Sequence, residues 1–547
     1  MLSLAALLIL GSRFTFWQDE WSLIARADLG DASTWLLPHN EHWSTLPIAL
    51  YSATLQIVGL RSYLPFLIEL LVVHLLVAGG VFVLVRRRNG PIGGLAAAIV
   101  ILLLGSGYQN LFWAFQTGFV GSVAAGVWAL ERFERPGPRA AAVGSLLLVA
   151  GLASSNIGLV FLVAAGVELA ARGERRWVAV VPPAAIFVAW YVAVGRTGTA
   201  ELQNPFTLSA LQDVGYYLVA GVSTAVAGVT GTTLRVMGGV IAACVLVVAA
   251  WISWRRRAVD PRMAGTLAGT VFLYASIGLA RGSRGSDFTD RSRYVYVAAV
   301  LLVLFASAAL PLLFEARRWG RPARVGIALV ILVAIVGNVA ALFRGAEVFR
   351  VQTDLTRAYV ALVERHEGET WIDPGQRPPG MPAPRNLLAI IRQFGSPTAD
   401  QFLPAAAPTP GGEEWDRAVV MLVGDAFRVE PGSPPSGQPE LPMLIGASGV
   451  TTTTGECLAV VPSGRTGSVE ILAPSDAWIE VRLPDGGTGE ARLGHAVTPA
   501  SRTRNTFAAA PGQSVSVHVP SIGDGSDWRV GLWLHAPADR ICTWTVE

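Results

Sequence analysis

The chain contains no lysine: all 42 of its basic residues are arginine. Charged residues of both signs make up only 15% of its 547 positions, against about 25% in a soluble globular domain. A single buried core does not account for so little charge over this length; many apolar helices do. The arginines punctuate apolar runs and form no clustered basic face, which excludes a nucleic-acid-binding class. Arginine used to the exclusion of lysine reads as GC-rich codon usage. There is no phosphate-binding glycine loop, serine-hydrolase elbow or zinc-finger spacing, so nucleotide-driven transport finds no support. No repeat of fixed period is present. Only three cysteines occur. Cys244 lies in an apolar run and reads as inert packing, whereas Cys457 and Cys542 bracket the C-terminal region, as one disulfide in an oxidising compartment would.

What the chain has in abundance is hydrophobic length: 52% apolar residues and a mean hydropathy of +0.48. Eleven runs reach spanning length, at roughly 1–17, 63–85, 91–107, 116–132, 139–154, 156–172, 177–195, 236–254, 262–280, 294–314 and 324–343. The 139–154 and 156–172 runs read as a tight hairpin or one kinked element. The first run lacks a basic leader and a small-residue cleavage site, so it reads as a retained helix rather than a signal peptide. Five arginine groups, around 86–88, 132–139, 172–176, 255–262 and 317–324, then fall on one side, which the charge rule makes cytoplasmic. The N-terminus lies inside, and the loops at 18–62, 108–115, 196–235 and 281–293 lie outside with everything after about 344. Residues 208–235 are apolar enough for a re-entrant or surface-lying segment but are not taken as a span. Leu46, Leu50 and Ile57 in the first outer loop predict a helix lying on the interface.

Composition divides the chain into a membrane domain at 1–343, a linker region at 344–440 and a β domain at 441–547. Helices are expected at 347–366 and 386–394 and a strand within 417–430. Segments 457–461, 478–483, 515–519 and 530–534, separated by Gly, Pro, Asp and Ser, predict a β-sandwich or jelly roll.

The residues that invite chemistry lie in the outer loops. Phe16-Trp17-Gln18-Asp19-Glu20-Trp21 carries two adjacent carboxylates at the end of the first run, at the depth of a lipid phosphate. Ionisable groups there are costly and mark function; a carboxylate can accept an acceptor proton or hold a divalent cation. Next comes Pro38-His39-Asn40-Glu41-His42. On a helix, His39 and His42 would share a face and could bind a metal; Glu41 and His42 are better read as hydrogen-bonding a substrate or phosphate. Tyr108 to Gln116 mixes aromatics and amides, with Trp113 and Gln116 suited to a sugar, or to an interfacial belt. The 281–294 loop carries Arg281, Arg284, Arg291 and Arg293 outside, followed by Tyr294. An anionic ligand would explain this inversion, since guanidinium groups grip phosphate bidentately; local pairs with Asp287 and Asp290 are the alternative. Within the spans, Glu69 could face the same cavity, His74 reads as satisfied packing, and Glu168 reads as reaching the interface.

This arrangement resembles the GT-C superfamily of polytopic glycosyltransferases: an acidic pair, Asp19-Glu20, after the first span, an amphipathic outer loop to residue 62, the late Arg293-Tyr294 element and an outer C-terminal β domain. The resemblance implies a polytopic α-helical membrane protein using a polyprenyl-phosphate-linked sugar on the outer face, with Asp19 as catalytic base and Glu20 as the alternative. The chain shows no second-loop Asp-x-Asp, which leaves metal dependence open; Mg2+ or Mn2+ on Asp19, Glu41 or His42 is the candidate. The acceptor would be an envelope glycan, lipid or protein, and the location a bacterial plasma membrane. A transporter or flippase of an anionic lipid or saccharide would show inverted repeats and broken helices, and a non-catalytic envelope assembly protein would be indifferent to Asp19.

Overall fold

The computed structural model describes residues 2–27, 32–173, 175–198, 207–282, 286–314, 321–369, 371–372, 374–398, 412–423, 426–434, 437–495, 498–521 and 527–545. They form two compact units. The first comprises Met1–Arg13, Ser22–Gly59 and Tyr63–Arg350, and the second Phe14–Trp21, Leu60–Ser62 and Val351–Glu547.

The first unit is helical. Its helices are α1 (Leu2–Gly11), α2 (Glu20–Ala25, begun by the last two residues of the Phe14–Trp21 segment), α3 (Thr45–Val58), α4 (Leu64–Leu102), α5 (Gln109–Phe112), α6 (Thr117–Glu134), α7 (Pro138–Ser154), α8 (Gly158–Ala171), α9 (Val181–Ala193), α10 (Leu208–Val229), α11 (Arg235–Arg256), α12 (Pro261–Arg281), α13 (Ser292–Phe314) and α14 (Arg321–Arg365), whose last turns belong to the second unit. Among the described residues, six helical stretches are long and apolar enough to cross a membrane: Leu64–Leu102, Arg175–Ala193, Arg235–Arg256, Pro261–Arg281, Ser292–Leu312 and Val325–Arg365. A chain with this many is a multi-pass membrane protein.

The expected runs at 63–85 and 91–107 form two helical legs, given together as α4, that meet in a kink at Gly90, whose φ of 74° and ψ of 175° lie outside the helical region. Pro91 follows and cannot donate a helical hydrogen bond. The two legs touch so closely that a Cβ on Gly94 would stand 2.7 Å from Arg86 Cβ and 2.9 Å from the Phe82 carbonyl. The 139–172 region is a hairpin of α7 and α8, reversed at Ser155–Ile157; Ser122 of α6 donates to the Gly151 carbonyl at 2.6 Å. The 208–229 stretch forms α10, packed on α11, α12 and α13. Helix α3 buries Ile48, Tyr51 and Leu55, and the residues it exposes, Leu46, Leu50 and Ile57, are apolar as well.

Three readings of buried polar groups are settled by packing. His74 is buried and its Nδ1 bonds the Tyr296 hydroxyl at 2.8 Å, while its Nε2 has no partner among the described residues. Glu69 accepts from Thr54 of α3. Glu168 does not reach an interface: only 2% exposed, it takes the equally buried Arg262 guanidinium at 2.6 and 3.0 Å, because α12 brings that arginine against α8. Cys244 is exposed on α11 rather than packed inside.

In the second unit, α15 (Pro384–Phe394) and α16 (Glu413–Leu422) precede twelve strands: β1 (Arg428–Pro431), β2 (Gln438–Glu440), β3 (Met443–Ser448), β4 (Val450–Thr454), β5 (Cys457–Val461), β6 (Gly467–Ala473), β7 (Trp478–Arg482), β8 (Gly487–His495), β9 (Thr498–Ala509), β10 (Ser514–His518), β11 (Trp528–Leu534) and β12 (Ala538–Thr545). The strand expected within 417–430 starts only at Arg428, because α16 occupies 413–422 with Trp415, Ala418, Val419 and Leu422 buried at helical spacing. One antiparallel sheet runs β1-β10-β7-β12-β5-β4, with β2 also on β12, and a second runs β3-β6-β11-β8-β9. Burial alternates along β6 residue by residue, as a strand with one covered face requires. Cys457 of β5 and Cys542 of the adjoining β12 are disulfide-bonded.

Candidate functional site

The two carboxylates of Asp19-Glu20 are held in opposite ways. A turn at Trp17–Asp19, with Gln18 at φ 49°, leads into α2. Glu20 is fully buried and its carboxylate accepts the Trp17 amide at 2.7 Å, closing the turn that starts the helix. The Phe16 and Trp21 rings pack on each other, centres 6.0 Å apart. Asp19 is half-buried, and among the described residues its carboxylate has no hydrogen-bond or ion-pair partner. Both acids belong to the second unit.

The remaining candidates lie in the first unit. His39 to His42 is not helical. The two histidines exchange both backbone hydrogen bonds at 2.9 Å, forming a two-residue hairpin turn with Asn40 at φ 51°. Asparagine tolerates that left-handed conformation, and the turn removes the shared helical face on which a metal reading of the histidines rested. His39 packs on Phe115 and His42 on Phe119, centroids 5.3 and 5.2 Å apart. Asn156, at the reversal between α7 and α8, clamps the hairpin: its Nδ2 donates to the Glu41 carbonyl and its Oδ1 accepts from the Trp43 amide at 3.2 Å. Ser155 Oγ stands 3.3 Å from His42 Nδ1.

Glu41 projects from this turn to the guanidinium of Arg281, across 240 residues of sequence, with His42 Nε2 3.7 Å away. Burial acts to raise the Glu41 carboxyl, but His42 and Arg281 outweigh it and hold it below the usual carboxylate range. Burial pulls the His42 imidazole down to about 4, against the opposing pull of Glu41, and the charges of Arg281 and Arg293 push the same way as burial. The ring is therefore neutral at pH 7, with an ionised Glu41–Arg281 pair beside it.

The aromatic and amide loop is fixed by Tyr63, which accepts the Ala114 amide at 2.7 Å and donates to the Phe112 carbonyl at 3.2 Å, and by Ser292, which accepts the Gln109 amide at 2.9 Å. Trp113 is 1% exposed and packs on Phe115 at a tilt, ring centres 5.0 Å apart, so it offers no face to a sugar; it is core. Gln116 is fully buried, and among the described residues its amide nitrogen and oxygen have no partner.

Of the outer arginines, Arg281 is engaged by Glu41, and its guanidinium lies 5.4 Å from the Phe288 ring, which Arg291 approaches from 5.2 Å. The expected local pairing of Asp290 is replaced by a longer one, to Arg235 at the start of α11. Arg293 lies 5.3 Å from the Tyr294 ring, Tyr294 is buried, and Arg293 Nε is buried without a partner among the described residues. Arg284, and the side chain of Asp287, lie outside the described residues. Arg281 and Arg293 thus converge on the hairpin, while Arg291 stays exposed.

Among the described residues, no three His, Cys, Asp or Glu side chains gather to hold a metal ion. Glu41 and His42 do not fit a divalent cation, because Arg281 already fills the position a cation would take. Sequence reading missed Asn156 and Ser155; the polar Ser154-Ser155-Asn156 run at the tip of two apolar helices was the available signal.

No protein-family profile matches the chain, and no curated protein does. Among solved structures it is similar to ArnT from Cupriavidus metallidurans bound to undecaprenyl phosphate, with 13% identity, a TM-score of 0.43, and coverage of 72% of this chain and 84% of that one. It is also similar to the arabinosyltransferase EmbB from Mycobacterium smegmatis, with 13% identity, a TM-score of 0.34, and coverage of 98% of this chain and 64% of that one.

Proposed function

We propose that the chain is a membrane glycosyltransferase that moves a sugar from a polyprenyl-phosphate donor to a hydroxyl of a cell-envelope glycan, lipid or protein. In this reading eleven spans cross a bacterial plasma membrane, the N-terminus is cytoplasmic, and the chemistry and the C-terminal β-sandwich lie outside. The observation that carries it is the contrast between the neighbouring acids: Glu20 is buried and spent on the Trp17 amide, while Asp19 is half-exposed and has no partner among the described residues. A carboxylate left free beside an apolar helix end is placed to act as a base.

Asp19 takes the proton of the acceptor hydroxyl as its oxygen attacks the anomeric carbon. The bond from that carbon to the phosphate oxygen breaks on the opposite face, and the polyprenyl phosphate leaves with the electron pair. Arg293, whose buried Nε has no partner among the described residues, is assigned to the departing anion, together with Arg291 and Arg284 of the same loop in sequence. Arg281 acts through Glu41 as a positioning residue. The histidine hairpin, with Gln116, is read as the substrate-facing polar wall. No step is assigned to a metal.

Turnover of radiolabelled polyprenyl-phosphate sugars, measured in membranes holding equal amounts of wild type and Asp19→Asn, tests this. The variant should lose about 100-fold or more, the scale of general-base catalysis. Equal consumption by both forms would remove Asp19 as the base and the mechanism with it.

A further inference from the structure

The turn that presents Asp19 is held in an uncommon backbone conformation. Among the described residues, the non-glycine positions with positive φ are Gln18, Asn40, Arg257 and Asp476. Asparagine and aspartate tolerate that region, and Arg257 ends α11, where left-handed residues commonly sit. Gln18, at φ 49°, is of neither residue type and precedes a helix instead of ending one. Such a conformation persists where the surroundings impose it, and it concentrates at functional sites.

Within the second unit, residues 374–385 supply those surroundings. The ends of the segment are tied, Arg385 donating its amide to the Pro374 carbonyl at 3.2 Å. Its tip is a turn closed by the Met381 amide on the Pro378 carbonyl at 3.0 Å, with Pro379 and Gly380 at the centre and Gly380 at φ 77°. Proline followed by glycine is the type II pattern, whose second central residue must have positive φ. Below the tip, the buried Tyr359 of α14 donates its hydroxyl to the Pro382 carbonyl at 2.7 Å, and Pro378, Met381 and Ala383 are buried. Compact loops with joined ends often carry function.

Gly380 meets Gln18. A Cβ added to it would lie 2.9 Å from Gln18 Cγ and 3.7 Å from both Cβ and Cδ of the same side chain. On the other side of Asp19, Glu20 is locked on the Trp17 amide, and the Gln18 carbonyl accepts the Trp21 amide at 3.1 Å. The direction of the Asp19 side chain therefore follows from how Gln18 is held.

We propose that the 374–385 loop positions Asp19: its Gly380 tip keeps Gln18 in the left-handed conformation and so sets where the Asp19 carboxylate points. Gly380 and Gln18 are positioning residues, and their part in turnover rests on the reading of Asp19 as the base.

Two readouts on the full chain test this. The first is turnover of the radiolabelled polyprenyl-phosphate sugars by Gly380→Ala, Gln18→Val and Gln18→Asn, each made with Asp19 intact and with Asp19→Asn. Gly368→Ala is the control, because Gly368 has φ 87° and open space where a Cβ would stand. Gly380→Ala and Gln18→Val should lower kcat about tenfold, as a small misplacement of a reacting group does, with donor KM little changed. Gln18→Asn keeps Cβ and Cγ and tolerates the conformation, so it should stay near wild type, as should Gly368→Ala. With Asp19→Asn, the same changes should cost nothing further. The second readout is the rate of maleimide labelling of Asp19→Cys in a Cys244→Ser chain in detergent, which needs no donor. Gly380→Ala should speed it severalfold and Gly368→Ala should not. Labelling indifferent to Gly380→Ala, or a kcat loss that persists with Asp19→Asn, would overturn the proposal. Failure of Asp19 as the base shows separately, as equal turnover by wild type and Asp19→Asn, and labelling still reports whether the loop holds position 19.

Discussion

Asp19 and Glu20 are neighbours in sequence and opposites in environment, and substitutions should separate them. Glu20→Gln weakens the acceptor of the Trp17 amide, so it should cost stability, by about 0.5–2 kcal/mol on the scale of helix-cap losses, seen as a lower melting temperature. His42 makes a second residue-scale prediction. Its folded value, about 4, lies below the ordinary 6.5. Below 6.5 the unfolded chain takes up a proton that the folded chain refuses, so the stability present above 6.5 drains away as pH falls toward 4. The slope is up to about 1.4 kcal/mol per pH unit from this group. Glu41, depressed as well, adds a loss of the same sign below about 4.5. Melting temperatures of wild type and His42→Phe between pH 7 and 5 should therefore diverge in slope, the variant being flatter. Parallel curves would show that the ring takes up its proton in the fold as it does in the unfolded chain.

At the scale of elements, arginine does more than mark a membrane side. Arg87 bridges to Glu131 and Glu134, Arg88 to Asp260 at 3.0 Å, and Arg262 to Glu168, tying α4, α6, α8 and α12 together at one end. Breaking a fully buried pair is expensive, while replacing both partners by apolar groups often is not. Glu168→Gln should thus lower stability by about 3–5 kcal/mol, and Glu168→Leu with Arg262→Met should recover most of it, as thermal unfolding in detergent would show. The apolar runs and the strands β5, β7, β10 and β11 were legible in the sequence because each rests on a local pattern. The pairing of Glu168 with Arg262, of Glu41 with Arg281 and of Asp290 with Arg235 was not, because the partners lie 94, 240 and 55 residues apart. The His39–His42 hairpin was hidden for another reason. A two-residue turn and a helix start share the Pro-His-Asn opening, and Asn156 from a distant reversal decides between them.

At the scale of the whole molecule, two independent features bear on which side of the membrane the C-terminal unit occupies. In the proposed topology, arginine asymmetry in the short loops puts it outside. The Cys457–Cys542 bond, closing 85 residues between β5 and β12, needs an oxidising compartment. The third cysteine makes this testable within one sample. Membranes dissolved in denaturant without reductant should take up a maleimide label at Cys244 alone, and after reduction at all three positions. Reduction of the native chain should also lower the stability of the β-sheet unit by about 2–5 kcal/mol, leaving the helical unit, which contains neither cysteine of the bond, at its original transition. Labelling of Cys457 and Cys542 before reduction would mean that the bond does not form in the cell, and the outward placement would then rest on arginine alone. Protease added to intact spheroplasts separates the remaining cases: cleavage in the proline-rich 374–384 stretch requires that unit to face outward, whatever the state of its cysteines.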